Sequence, residues 1–176
     1  MVGDIIKPET LWACTTCYNC VSECPVLIEH VDAIVDMRRY LALMEGDIPS
    51  SLATTLTNIE RSGNPWKQPR RKRTAWTQAL DFEVPVMANV GEADVLWWVG
   101  CAGAYDPRNQ KVTRAVAKIL HAAGVNYAIL GEEETCTGDT ARRAGNEYLY
   151  QALAQANIET LKQYKFKLIL TQCPHC

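Results

Sequence analysis

The chain has 176 residues, 48% of them hydrophobic and 22% charged, with a formal charge of −2. That length and apolar content support a buried core and exclude a disordered chain, while the small negative charge excludes a general affinity for nucleic acid or anionic membrane. No apolar run approaches the ~20 residues of a membrane-crossing helix, and the start "MVGDIIKPET" lacks the apolar stretch of a signal peptide, so a cytoplasmic protein of one or two domains is expected.

Eight cysteines without a secretion signal argue for metal ligation over a disulfide framework. They fall into two sets, Cys14, Cys17, Cys20 and Cys24, then Cys101, Cys136, Cys173 and Cys176. Each set has the ligand number of a tetrahedral metal or an iron-sulfur cube. The first set reads C-x2-C-x2-C-x3-C-P, the spacing of bacterial-type ferredoxins. Three cysteines so spaced wrap one 4Fe-4S cluster, and the fourth, carried on by Pro25, points to a neighbouring cluster. A structural zinc site needs only two CxxC-like knuckles and a redox dithiol only one, so four thiols packed this densely overserve both. A single copy of this motif is half of a pair, so the sequence is expected to be a piece of a longer protein, with a further ligand supplied from elsewhere.

After the motif, Val31, Ile34, Val35, Arg38, Leu41 and Met44 recur at three- and four-residue intervals, which predicts one helical face ended by Gly46. His30, at its start, reads as a capping or surface residue. A second helix is predicted over residues 51–61, with Ser50 as cap and Leu52, Leu56 and Ile59 inward. Turn-forming residues then mark a connector. Its basic run, Lys67, Arg70, Arg71, Lys72 and Arg73 between Trp66 and Trp76, superficially resembles a nucleic-acid patch, but no nucleic-acid fold signature accompanies it. It reads as a solvated loop whose tryptophans pack onto the flanking domains, with a docking surface for an acidic redox partner as the intermediate reading.

The second half alternates. "ADVLWWVG", "VNYAILG" and "FKLILTQ" have the length of buried strands. Between them, residues 108–123 place Val112, Ala115, Val116, Ile119 and Ala123 on one helical side before Gly124, and residues 140–164 form a longer helical stretch expected to break near Asn157. Strands alternating with helices predict an α/β fold, a Rossmann-like parallel three-layer unit with right-handed crossovers. In such a sheet the carboxyl ends of the strands share one edge, so Cys101, Cys136, Cys173 and Cys176 should converge there. Gly100, Gly103 and Gly138 would let the backbone approach a bulky cofactor. Iron-sulfur and zinc ligation both suit four thiols, "CPHC" also looks like a redox dithiol, and His175 reads as a spacer.

The succession "CTTCYNCVSECPV", "VDMRRYL", "GNPW", "VGCAGAYDPR", "ETCTGD" and "TQCPHC" resembles the heterodisulfide reductase-related iron-sulfur proteins, which join a two-cluster ferredoxin module to cysteine-rich CCG domains. Similar proteins include reductases linking electron transfer flavoprotein to quinone and the glycolate oxidase iron-sulfur subunits. The resemblance implies a small helical ferredoxin-type module over residues 1–61, a connector with a basic loop over 62–91, and a CCG domain over 92–176. It further implies an electron-transfer oxidoreductase with no catalytic base or nucleophile. Cys14, Cys17, Cys20 and Cys24 would be ferredoxin-type 4Fe-4S ligands, and Cys101, Cys136, Cys173 and Cys176 those of a second 4Fe-4S cluster or zinc. The implied partners are a flavoprotein donor such as electron transfer flavoprotein and a quinone or thiol/disulfide acceptor, without nucleic acid. Membrane association would be indirect, on the cytoplasmic face within a larger complex. This sequence has one ferredoxin motif and one CCG repeat, and it reads Cys136-Thr137-Gly138 where the CCG signature has paired cysteines, which suits a conventional cube or zinc over a noncubane cluster. The competing reading is a non-redox, zinc-stabilised interaction module that binds through the basic loop.

Overall fold

The computed structural model describes residues 2–176, a helical amino-terminal part followed by a three-layer α/β unit. Helix α1 (Pro8–Ala13) begins on a proline, whose missing N–H has no partner to lose in a first turn. One turn, α2 (Asn19–Ser22), lies within the first cysteine segment, and α3 (His30–Tyr40) follows, with His30 as its first residue and Glu29 at the cap position. Helix α3 buries Val31 and Arg38, but its expected face does not run on to Met44. Leu41–Glu45 winds as a π-turn, which buries Leu41 and leaves Met44 exposed. Helix α4 (Ser50–Ser62) buries Leu56 and Ile59 as its spacing predicts, while Ser50 is its first residue and Pro49 occupies the cap position.

The connector is built, not loose. Asn64 is fully buried; its amide donates to the carbonyls of Ser62 and Gln68, and its Oδ1 accepts the backbone N–H groups of Trp66 and Gln68. Trp76 is buried edge-on against Trp97, 5.5 Å between ring centres, whereas Trp66 stays exposed. Lys67, Arg70, Arg71 and Lys72 are exposed as expected, but Arg73 is not part of a solvated run. It is 3% exposed, because its guanidinium meets a carboxylate inside the protein.

After α5 (Met87–Val90), strand β1 (Val95–Trp98) leads into α6 (Gly100–Tyr105) and α7 (Pro107–Ala122), then β2 (Tyr127–Ile129), α8 (Asp139–Arg143), α9 (Glu147–Leu161) and β3 (Leu168–Thr171). The strands are all parallel in the order β2-β1-β3, with Leu96 facing Ala128 on one side and Ile169 on the other. Alternate residues of β1 serve two cores. Trp97 packs with Trp76, Tyr127, Ile129 and Ala117 of α7, while Leu96 and Trp98 pack with Met87, Ala128 and Leu130, backed by Leu161 at the end of α9. Helices thus cover both faces of the central strand, as a parallel sheet requires. Strand β3 departs from the expected buried strand: it is an edge, and Leu168 and Ile169 are 66% and 52% exposed.

Two helices settle differently from their sequence pattern. In α7 the buried positions are Thr113 and Ala117, while Val112 and Ile119 face outward. Helix α6 comes close enough for the Thr113 hydroxyl to donate to the Gly103 carbonyl at 3.0 Å, so small residues fill that contact, while Val116, as expected, and Leu120 pack half-buried against the core. The long stretch breaks at Gly145 and not near Asn157. Gly145 has φ +79°, and a β-carbon there would collide with the backbone of Arg38 and Arg39. Asn157 lies inside α9, donating to the Cys136 carbonyl at 3.0 Å and accepting the Thr135 hydroxyl at 2.8 Å.

Gly124→Ala, in open space at φ +63°, should cost about 1–2 kcal/mol for its left-handed backbone alone. Gly145→Ala should cost clearly more, because α3 must also move; urea midpoints of the two variants check the difference. Asp106 caps α7, accepting the Asn109 N–H at 2.8 Å, and that N–H is the first cause holding its carboxyl below the ordinary aspartate range. Its contribution to stability is present above pH of about 4 and is lost as pH falls through the depressed value. Asp106→Asn should keep the cap at neutral pH but lose this part of the acid dependence in thermal melts.

Candidate functional site

All eight cysteines are free thiols. In the first set, Cys14 follows α1, Cys17 lies in the next loop, Cys20 sits in α2 and Cys24 follows it. The loop backbone is left-handed at Thr16 and Tyr18, φ 53° and 62°. The Thr16 N–H donates to Cys14 Sγ at 3.4 Å and the Ile28 N–H to Cys24 Sγ at 3.3 Å. Backbone donors hold two of these thiols below their ordinary value, Asn19 first for Cys17 and Ile28 first for Cys24.

The carbonyls at the end of a helix need donors, and α1 finds them in one side chain from α3. Buried Arg38 donates to the Leu11 carbonyl at 2.7 Å, the Cys14 carbonyl at 2.6 Å and, through Nη1, the Arg143 carbonyl at 3.0 Å. From α8, the Arg143 side chain donates to the Thr15 carbonyl at 3.2 Å and to the Thr16 hydroxyl. The first cysteine loop is therefore fixed to the element that follows Cys136.

The second set stands at the carboxyl ends of the strands. Cys101 is in the first turn of α6, directly after β1; Cys136 follows the 3-10 turn Gly131–Glu133 beyond β2; Cys173 and Cys176 follow β3. Cys101 and Cys136 are buried beside Ile59. The hydrogen bond between them holds Cys136 down at about 7 and, with burial, pushes Cys101 up. The Gly138 N–H also donates to Cys136 Sγ at 3.5 Å. A β-carbon at Gly100, φ +78°, would stand 2.9 Å from Cys176 Sγ, so the Cys173–Cys176 segment lies across the start of α6. Cys176 is exposed as a residue, but its sulfur lies against the start of α6, and that local desolvation, then Cys173, pushes the thiol up to about 12.

Of the three glycines expected to make room for a cofactor, Gly100 alone faces this thiol group. Gly103 makes room for Gln172 and Thr113, and Gly138 for Tyr150 and Leu153 of α9. Among the described residues no three His, Cys, Asp or Glu side chains stand ready to hold a metal ion as they are. Within the second set Cys101 is hydrogen-bonded to Cys136, and Cys176 lies beside Cys173 and within electrostatic reach of Cys136.

Glu134 and Arg73 complete this site, and neither was expected. Glu134, 1% exposed, accepts the N–H groups of Val99 at 3.0 Å and Gly100 at 2.8 Å and pairs with Arg73 Nη1 at 2.9 Å. Burial raises its pKa, and Arg73 is the first group to oppose that. Arg73 Nη2 lies 3.3 Å from Cys101 Sγ and 3.4 Å from the Gly63 carbonyl, which also accepts the Cys136 N–H at 2.8 Å. These residues fit a thiolate-bound cofactor: amide N–H groups already point at three sulfurs, a guanidinium faces a fourth, and Gly100 leaves space that a β-carbon would fill. A cavity of about 300 Å³ beside Cys14 is lined also by Trp12 and Arg38 and by Asp139, Arg143 and His175; Cys14 is the one cysteine in its lining. His175, between Cys173 and Cys176, has its Nδ1 3.2 Å from Asp139 Oδ2.

Residues 95–176 match the cysteine-rich domain family CCG. The chain is 47% identical over 180 residues to a probable iron-sulfur-binding oxidoreductase, FadF, of Bacillus subtilis, covering 99% of this chain and 26% of that protein. It is 41% identical over 178 residues to the EtfAB:quinone oxidoreductase of Syntrophomonas wolfei, covering 99% and 25%. A component of the heterodisulfide reductase of Methanosarcina barkeri is 27% identical over 172 residues, covering 96% and 40%. The chain thus spans about a quarter of the length of the first two relatives. No solved structure matches it. No helix among the described residues is long and apolar enough to cross a membrane.

Arg38→Met should leave the Leu11, Cys14 and Arg143 carbonyls without their donor, at about 1–3 kcal/mol for each buried group that water does not reach. Hydrogen exchange should then accelerate over residues 11–16 while β1 and β2 stay protected. An equal loss across the sheet would contradict a local role for this side chain.

Proposed function

We propose, from the match of residues 95–176 to the cysteine-rich CCG family, that this chain is the electron-transferring segment of a larger iron-sulfur oxidoreductase. The observation that carries this reading is the joining of the two cysteine segments: Arg143 of α8, the helix that follows Cys136, donates to the Thr15 carbonyl and the Thr16 hydroxyl of the first cysteine loop, and Cys14 shares a cavity lining with His175 of the Cys173–Cys176 segment. The names of the relatives support it, one an iron-sulfur-binding oxidoreductase and one an EtfAB:quinone oxidoreductase.

In this reading residues 1–61 hold a ferredoxin-type 4Fe-4S cluster through Cys14, Cys17 and Cys20, with Cys24 directed to a neighbouring cluster. Residues 92–176 hold a second 4Fe-4S cluster or zinc through Cys101, Cys136, Cys173 and Cys176, and residues 62–91 join the two. Bound iron-sulfur clusters supply one-electron transfer. The protein's own part is to hold and to tune. The N–H groups of Thr16, Ile28 and Gly138 offset sulfur charge, and Arg38 and Arg143 fix the first cysteine loop against α8, setting the separation of the two sites. No side chain needs to act as base or nucleophile. The donor is a flavoprotein such as electron transfer flavoprotein and the acceptor a quinone or a thiol/disulfide couple. The assembly works on the cytoplasmic face of a membrane through other segments or subunits.

Protein purified and reconstituted anaerobically should be brown and contain iron and acid-labile sulfide; colourless protein holding only zinc would favour the interaction-module reading and end this one. Cys17→Ser should lose one cluster's iron, about four atoms per chain, whereas Cys24→Ser should leave that cluster largely intact. Equal losses would mean that Cys24 closes the same cube.

A further inference from the structure

We propose that Arg73, oriented by the buried carboxylate of Glu134, is a positioning residue that offsets the thiolate charge of the carboxy-terminal cysteine site. The inference rests on the reading of Cys101, Cys136, Cys173 and Cys176 as ligands. Four thiolates around a divalent metal or cubane core leave a net charge of about −2. Charge of that sign is costly where Cys101 and Cys136 are, since both are buried and pack with Ile59 of α4 and Leu149 and Leu153 of α9. The Gly138 N–H offsets part of that charge, and a cation buried beside the sulfurs would offset more.

Arg73 is the guanidinium in contact with this site. It is 3% exposed, it reaches Cys101 Sγ at 3.3 Å through Nη2, and its Nε is buried with no partner in the protein. Its flat face lies 5.3 Å from the centre of the Tyr105 ring, which holds it from a second direction. Arg73 and Glu134 are neutral as a pair, so their effect on the site depends on orientation. Glu134 takes Nη1, and its two oxygens are further occupied by the N–H groups of Val99 and Gly100. The negative end of the pair is thereby turned into the β1–α6 junction, and the positive end is turned toward the sulfur. A simple structural joint would be served by Glu134 and by the Gly63 carbonyl, 3.4 Å from Nη2; the 3.3 Å contact of the same Nη2 with Cys101 Sγ is what such a joint does not need.

The test uses apo-protein carrying Cys17→Ser and Cys20→Ser, so that cobalt(II) reports on the carboxy-terminal cysteines through thiolate-to-cobalt absorption under anaerobic titration. Arg73→Gln/Glu134→Gln removes both charges without leaving either partner ionised and alone. It should weaken cobalt binding about 10- to 100-fold at an unchanged thermal midpoint. Glu134→Gln alone keeps the cation and, in its amide oxygen, an acceptor for Nη1 that preserves the orientation while the neutralising charge is removed, and it should bind cobalt as tightly as the parent or more tightly. Parental affinity in the double variant, or equal weakening in both variants in step with their thermal midpoints, overturns the proposal. If the double variant does not fold, Glu134→Gln decides: retained affinity supports the proposal and lost affinity sinks it. A parent with no cobalt–thiolate band would remove the ligand assignment itself and the proposal with it. The iron and sulfide content of the wild-type chain tests the electron-transfer reading separately.

Discussion

A carboxylate removed from water has to be surrounded by donors, and the surroundings of Glu134 organise the second half of this protein. Its oxygens take two N–H groups at the end of β1, its own backbone belongs to the segment after β2, and its counter-ion comes from the connector. Three separate stretches are thereby held at fixed distances within a few ångströms of Cys101. Burying such a pair brings little net stability, because the desolvation of both ions offsets most of their attraction. What it brings is geometry. Removing either partner would leave the other charged in a place without water, so the connector and the strand ends are committed to one arrangement.

The amino-terminal part depends on a different kind of contact. It is too small to bury much core of its own, and its cysteine loop runs between short helices with few apolar side chains to pack. Backbone groups take over that task. Arg38 gathers the carbonyls at the end of α1 and one from α8, and Arg143 reaches back across the same seam. Gly145 lets the two backbones meet there without a side chain between them. Hydrogen bonds with fixed directions hold the two cysteine segments in register more strictly than sliding apolar surfaces would.

Local patterns in the sequence were legible, and contacts between distant segments were not. The ferredoxin spacing, the inward residues of α4, the three strand segments and their parallel arrangement follow from short-range periodicity and the rule that strands alternating with helices lie parallel. The same rule placed the second cysteine set at one sheet edge. Periodicity did not reveal that α7 would turn small residues inward, because that choice depends on how closely α6 approaches. Asn157 looked like a helix breaker, yet Thr135 and Cys136 supply partners that let it remain in α9. Arg38 could have been noticed as a cation on an otherwise apolar face. Arg73 and Glu134 each sit in a run of like charge, RRKR and EEE, where nothing local distinguishes the buried member from its solvated neighbours.

Strand β3 is paired along one side only and leaves Leu168 and Ile169 facing solvent. It joins the centre of the sheet from about 70 residues away in the chain, so its docking repays a long loop closure with a single ladder. That makes it the least secured part of the sheet and the part most easily lost by local opening. Its carboxyl end carries Cys173 and Cys176, while Cys101 and Cys136 are anchored in the core. Any ligand bridging the two pairs therefore binds the docked strand and not the detached one, and by mass action it closes the sheet as it fills the site. Cofactor loading and completion of the fold become one equilibrium.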